Sequence, residues 1–391
     1  NLPVGAAGSS VALADYAGTW QTNNVTVSPN GSEFIGGVNA DVTLSTEGQS
    51  VTFVYIDGTQ GWVNVIDSTS NVRGNNFVIA TGGTPCTGAI CGDYKTHTFT
   101  GPGTLIVSAT GTPTGSDSVD YLVVAGGGGG GAPFSGGGAG GFRLSNNTCM
   151  PGPATSPLAS VTGVPVTATP YAIVVGGGGP AGSTPPATPG GNGNVSSFST
   201  ISSAGGGGGK TTNGVGIDGG SGSGGVGSPA PAPQPGFAGG VSSPVTSPIQ
   251  GNAGGKGGDG LVWMSAGGGG GGAGACGQDS LAPGGANSPG YAGSGGIGSY
   301  VVQTGFAGCN GTPGPVPGAR YFAGGGGGGV NSSTPGAGGD GGAGGGGQGF
   351  ASPTNPAGGM TATAGGCNTG GGGGSPAAGG SGIVVIRYKF Q

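Results

Sequence analysis

The sequence predicts an all-β N-terminal module followed by a glycine-rich domain of packed polyglycine (polyproline-II-like) helices, closed by a C-terminal β-strand, with little or no α-helix. Three observations predict it. Gly and Pro contribute 109 and 30 of 391 residues, the two types that helix and strand interiors tolerate least. Only 18 of the glycines lie in residues 1–120, so the first part has ordinary side chains to bury and the rest has few. Charged residues are 5% of the chain, against about 25% in a usual globular domain, and the high charge typical of disordered chains is missing.

The N-terminal module, residues 1–92, shows short alternating segments between turn residues. Val25–Val27, 41–44, 51–56, 61–66 and 76–80 are the clearest strands. Asp57-Gly58 between two of them signals a hairpin, and Asn30-Gly31 a further turn. Residues 93–125 read as a second hairpin, Thr96 to Thr100 and Thr104 to Ser108 around Gly101-Pro102-Gly103, followed by a lead-in strand at Val119-Asp-Tyr-Leu-Val-Val-Ala125.

From 126 to 380 a strand-then-glycine unit recurs at irregular spacing, which excludes a fixed-period solenoid. Tyr171 to Val175, Phe198 to Ala204, Leu261 to Ala266 and Arg320 to Ala323 each run into a glycine tract. Ordering so much Gly is entropically costly. One arrangement repays it: extended three-residue-per-turn helices whose radial N–H and C=O groups bond to neighbouring helices. Side chains would hold such backbones apart, so the interior must be Gly. A tract of six residues spans about 19 Å, which gives a short brick with loops at its two ends. Residues 381–391 form a closing strand suited to pair with the one at Tyr121.

Chemistry-bearing motifs are scarce. Ala204 to Thr211 fits a relaxed phosphate-loop pattern, but more glycine follows where a helix N-terminus is required. His97 is the one histidine and reads as a structural residue in a strand. The carboxylates are scattered, with no acid/base pair. Asp57, Asp67, Asp93, Asp117 and Asp120 match no calcium loop and suit turns and caps. Sequons at Asn24, Asn30, Asn146, Asn194, Asn310 and Asn331 are expected by chance in this composition. No nucleophile, base, metal cluster or cofactor site can be assembled, so an enzyme is the least favoured class. A net charge of −5 leaves no basic footprint for nucleic acid, and no apolar run is long enough for a membrane-spanning helix.

Cys86 and Cys91 sit close in a Pro/Gly turn and are candidate disulfide partners; Cys149, Cys276, Cys309 and Cys367 lie in separate Gly-rich stretches and suit staples between tracts in an oxidising compartment. Phe237, Tyr291, Tyr300 and Phe306 stand among small polar loop residues and are the candidates for carbohydrate or protein surface recognition, since rings stack and small polar groups hydrogen-bond; plugs at the bundle ends or subunit contacts are the equal alternative. Trp263, Tyr321 and Phe322, just before tracts, read as plugs at the ends of the bundle.

Tyr16-Ala-Gly-Thr-Trp20, Phe53-Val-Tyr-Ile-Asp-Gly-Thr-Gln-Gly-Trp62, His97-Thr-Phe-Thr-Gly-Pro-Gly-Thr104, Asp120-Tyr-Leu-Val-Val-Ala-Gly-Gly127 and Gly380-Ser-Gly-Ile-Val-Val-Ile-Arg-Tyr-Lys-Phe390 resemble the glycine-rich distal tail fibres and adhesins of bacteriophages, especially marine and cyanobacterial ones. The resemblance implies a homotrimeric fibre segment on a virion, ending in a polyglycine bundle whose loops bind a host surface glycan or outer-membrane protein. A secreted filament or surface-matrix subunit, joined by strand pairing between copies, is the alternative. Asn1 is expected to mark either a removed leader or the distal piece of a longer protein; processing at Asn1, together with disulfides among the six Cys, favours that second view. A third reading is an extracellular ice- or surface-binding protein on the same scaffold.

Overall fold

In the computed structural model, residues 1–68, 77–111, 116–145, 156–160, 162–211, 214–227, 235–259, 266–281, 290–301, 304–330, 336–351 and 361–391 are described. The chain divides into two compact units, Asn1–Asn76 and Phe77–Gln391. This boundary falls earlier than the expected 92/93, because the strands after Phe77 pair with partners further along the chain.

The first unit contains β1 (Ser10–Ala14), β2 (Val25–Val27), β3 (Val42–Leu44), β4 (Ser50–Asp57) and β5 (Gly61–Ser68). The sheet β1-β4-β5 is antiparallel, and β2 pairs with β3. The hairpin expected at Asp57-Gly58 is β4–β5. Asp57 Oδ1 accepts from the N–H groups of Thr59 and Gln60, an Asx turn of the kind that nucleates such connections. Alternation along β4 sends Val51 and Phe53 inward, against Leu2, Val27, Leu44 and Trp62.

The second unit begins with β6 (Ile79–Thr81), β7 (Thr84–Cys91), β8 (Tyr94–Phe99), β9 (Gly103–Ala109) and β10 (Ser118–Val124). It continues through β11 (Phe142–Ser145), β12 (Ala159–Ser160), β13 (Val164–Pro165), β14 (Pro170–Val174), β15 (Ser196–Phe198) and β16 (Ile201–Ser203). The last elements are β17 (Gly290–Tyr291), β18 (Ser299–Val301), the four-residue α1 (Thr304–Ala307), β19 (Arg320–Phe322), β20 (Gly336–Ala337) and β21 (Ile383–Lys389). The fold is all-β apart from that single turn of helix among the described residues.

The closing strand β21 is central in the sheet β12-β11-β10-β21-β8-β7, bonded antiparallel to β10 and β8. A second sheet runs β16-β15-β14-β9-β6. The hairpin expected around Gly101-Pro102-Gly103 does not form. Both edges of β8 are taken, by β7 and β21, so the turn carries the chain into the second sheet, where β9 pairs with β14 and β6. Between the two sheets lies a core of Phe99, Leu105, Tyr121, Val123, Phe198, Val384 and Ile386, among others.

Beyond the sheets the glycine segments cohere through their backbones. The donors of 135–141 show the rule. Gly136, Gly137 and Gly138 donate to Gly268, Gly373 and Gly207; Ala139, Gly140 and Gly141 then return to the same three neighbours, at Gly271, Gly370 and Ala204. Bond lengths are 2.7–3.2 Å. Recipients repeating every third residue are the signature of a three-residue-per-turn helix with outward-facing amides. Segment 135–141 also accepts from 125–131, 221–227 and 323–329, so it is ringed on all sides by 125–131, 204–210, 221–227, 266–272, 323–329 and 370–375. It is the axis of the bundle.

Around that ring lies an outer circuit: 175–182, 190–195, 214–220, 235–241, 250–259, 275–281, 291–298, 336–343, 345–351, 361–368 and 377–382. Segment 204–210 completes the circuit between 190–195 and 214–220, and neighbours along it bond to one another, with 377–382 closing back on 175–182. Inner segments are mostly Gly, with Ser221, Ser223 and Val226 the main exceptions in 221–227. Several outer ones carry a side chain every third residue, as at Tyr291, Ser294 and Ile297 or at Ala337, Asp340 and Ala343, and these include the most exposed positions of their segments. Period three puts every such residue on the solvent side while the intervening glycines face inward.

Candidate binding surface

Hydrogen-bond register gives each segment a direction. Gly126 and Gly129 donate to Asn194 and Gly191, so 125–131 and 190–195 are antiparallel; Gly179 and Gly182 donate to Gly127 and Gly130, so 175–182 runs parallel to 125–131. Carried round the bundle, this makes successive segments alternate in direction. The described segments therefore begin and finish at two ends. One end carries the two sheets, where the chain enters through β10 and leaves through β21. Among the described residues, the other end carries no strand of either sheet.

This places the four candidate aromatics apart. Phe237 begins 235–241 and Tyr291 begins 291–298, both at the free end. Tyr291 is 48% exposed, and its backbone exchanges hydrogen bonds of 3.0 and 2.9 Å with Leu281, itself 68% exposed. Phe237 is half-buried; its N–H donates to Val226 and its carbonyl accepts from Gly257. On the neighbouring segment, between Phe237 and Leu281 on the rim, Lys256 Nζ lies 2.8 Å from Asp259 Oδ1, which also accepts from Gly236 N. The Lys256 ammonium and the Gly236 amide hold the Asp259 carboxyl below the usual carboxylate range.

Tyr300 and Phe306 lie at the sheet end. Tyr300 is the register partner of Tyr321, with ring centroids 5.2 Å apart. Phe306 is fully buried among Leu122, Phe142, Phe322, Ile383 and Val385, and the Arg387 guanidinium stacks 4.6 Å from its ring. Phe306 is thus a core residue and cannot meet a receptor. Its neighbours Thr, Gly and Ala made it look like a loop residue, but α1 turns it inward over the sheet. Tyr321 and Phe322 are buried plugs, as expected; Trp263 and Cys149 lie outside the described residues.

Cys86, Cys91, Cys276, Cys309 and Cys367 are free and exposed. The expected Cys86–Cys91 bridge is not formed: both residues belong to the extended strand β7, not to a tight turn. Cys276, Cys309 and Cys367 also sit toward the sheet end, in separate connections. Among the described residues no group of His, Cys, Asp and Glu gathers that could hold a metal ion, and no helix is long and apolar enough to cross a membrane.

Sequence reasoning missed Leu281 beside Tyr291, and Lys256 and Asp259 on the next segment of the same rim. The signal lay in the rim period: Ala253, Lys256 and Asp259 recur at three-residue spacing, which marks side chains on the outer face. No curated protein and no solved structure matches the chain. A family model described as a glycine-rich domain matches residues 100–389, and the chain belongs to that glycine-rich domain family.

Proposed function

We propose that the protein is the distal, receptor-binding tip of a bacteriophage tail fibre, attaching to a host surface glycan or outer-membrane protein and acting in the virion as a homotrimer. The observation that carries this reading is that β10 and β21 are bonded in register. Chain entry and exit share one end, and the other end is left for presentation on a scaffold stiffened by its backbone lattice. Exposed Tyr291 and Leu281, half-buried Phe237 and the Lys256–Asp259 pair offer stacking, apolar and charged contacts along that rim. Individually weak contacts gain strength from several tips per particle. The test is binding of fluorescently labelled protein to candidate host cells: Tyr291→Ala with unchanged thermal stability weakens binding under this reading, and equal binding by both proteins contradicts it.

A second reading, an extracellular filament subunit, is favoured by β7, a sheet-edge strand without any charged residue and with Ile90 64% exposed. Such edges invite pairing with another chain. Electron micrographs of purified material separate the two: discrete particles support the tip, indefinitely long polymers the filament.

A further inference from the structure

His97, the one histidine of the chain, is wholly buried in β8. Its Nδ1 lies 2.7 Å from the Gly82 carbonyl oxygen and its Nε2 lies 3.0 Å from the Tyr388 hydroxyl. The carbonyl can only accept, so Nδ1 carries the proton and Nε2 accepts from Tyr388. Tyr388 stacks on the imidazole at 5.6 Å and 17°, and its oxygen in turn accepts from Ala80 N at 3.2 Å. The ring is therefore held by three elements: the end of β6 with the turn that follows it (80–83), β8 and the closing strand.

The cover over this ring is thin. Pairing of β7 with β8 is interrupted between Thr84 and Ala89. Gly88, inside that bulge and at φ +79°, passes so near that a Cβ there would come within 2.9 Å of Nε2. Side chains on both sides of Gly88 are exposed. From β8 the ring feels the positive charge of Lys95. β21 contributes the Tyr388 hydroxyl, the 80–83 connection no ionisable group, and β7 only the exposed thiols of Cys86 and Cys91. Among the described residues no carboxylate is aimed at the imidazole to compensate a positive ring.

We infer that His97 is an acid-sensitive latch, whose protonation lifts the 85–90 part of β7 off β8 and bares the edge of the main sheet while the glycine bundle stays closed. The hydrogen bonds can adapt to a second proton, because Tyr388 can turn its hydroxyl toward the Ala80 carbonyl at 3.3 Å. The buried charge cannot adapt, and water is its cheapest partner. The least-bonded cover is the segment that yields.

Amide exchange followed by mass spectrometry from pH 7 to pH 4.5, corrected for the intrinsic rate at each pH, tests this. Protection in 85–90 should fall at least tenfold on acidification in the native protein, with 125–141 unaffected, and His97→Gln should abolish the change. The ¹H–¹⁵N signals of the His97 ring in the native protein supply a readout independent of that variant, and should titrate together with the loss of protection. Protection in 85–90 that is independent of pH, a loss identical in His97→Gln, a loss spread evenly over the second unit, or a ring that titrates without any change in 85–90 would each overturn the latch.

Discussion

Asp120 and Arg387 are register partners in the β10–β21 ladder and also an ion pair, with Nη2 to Oδ2 at 3.2 Å and side chains only 5% and 2% exposed. They join the strand that enters the glycine bundle to the one that leaves it. The guanidinium packs on two rings, 5.0 Å from Tyr94 and 4.6 Å from Phe306. Ser145 Oγ donates to Asp120 Oδ1 at 3.0 Å. Clamping entry to exit fixes the mouth of the bundle.

Removing one partner of this buried pair leaves the other charge stranded. Arg387→Met or Asp120→Asn should each cost about 3–5 kcal/mol. The double replacement should cost much less than the sum, a coupling that a double-mutant cycle in urea will measure.

Phe306 and Tyr291 should respond in opposite ways. Phe306→Ala empties a packed core site and should destabilise by about 3–5 kcal/mol. Tyr291→Ala, on the exposed rim, should stay within about 0.5 kcal/mol of the native protein. Calorimetry on the two variants checks this.

Two glycines separate packing from mere composition. A Cβ on Gly128 would collide with the Gly207 carbonyl, whereas one on Gly177, on the outer circuit, would meet nothing nearer than Asn194 Nδ2 at 3.7 Å. Gly128→Ala should abolish cooperative folding. Gly177→Ala should be neutral or gain up to about 1 kcal/mol through the unfolded chain. Circular dichroism melts distinguish them.

Stability should fall on both sides of neutrality, for separate reasons. Burial lowers the His97 pKa below 6.5. The unfolded chain then binds the proton more readily, so this contribution is complete above pH 6.5 and shrinks as pH falls toward the folded value. Burial raises Tyr388 and Tyr121 above 10.0. Their contribution is complete below pH 10 and shrinks as pH rises through the folded values. Urea midpoints across pH 4–11 should show both slopes, and His97→Gln should flatten the acid one down to the carboxylate range, where the lowered Asp15, Asp57 and Asp259 take over.

Much of this architecture was legible in the chain, and what was hidden had physical causes. Val119 to Ala125 and the Ile383 strand were readable because their apolar runs end abruptly in glycine, and their pairing follows from a bundle that must return. The 101–103 turn misled because a Gly-Pro-Gly connection looks alike whether it joins partners or changes sheets; only the occupancy of both β8 edges decides. Phe306 misled because it is buried by residues distant in sequence, such as Leu122, Phe142 and Ile383, so its own Gly-flanked surroundings carry no core period. The Gly-Gly-X rim, visible at 291–297 and 337–343, was overlooked beside the longer pure-Gly runs of the interior. At the free-end rim, Tyr291 was readable as a loop aromatic, whereas its neighbour Leu281, and Lys256 and Asp259 one segment further on, required the order of segments around the circuit.

The glycine bundle depends on backbone hydrogen bonds in place of side-chain burial as its cohesive force, and residue-level deuterium exchange of the folded protein tests that most directly. Amides of the axial segment 135–141 should exchange only through global unfolding, while the outward amides of Gly177 and Gly178 exchange within seconds. Rapid exchange along 135–141, equal to that of Gly177, would contradict a packed lattice and leave the chain a solvated glycine polymer.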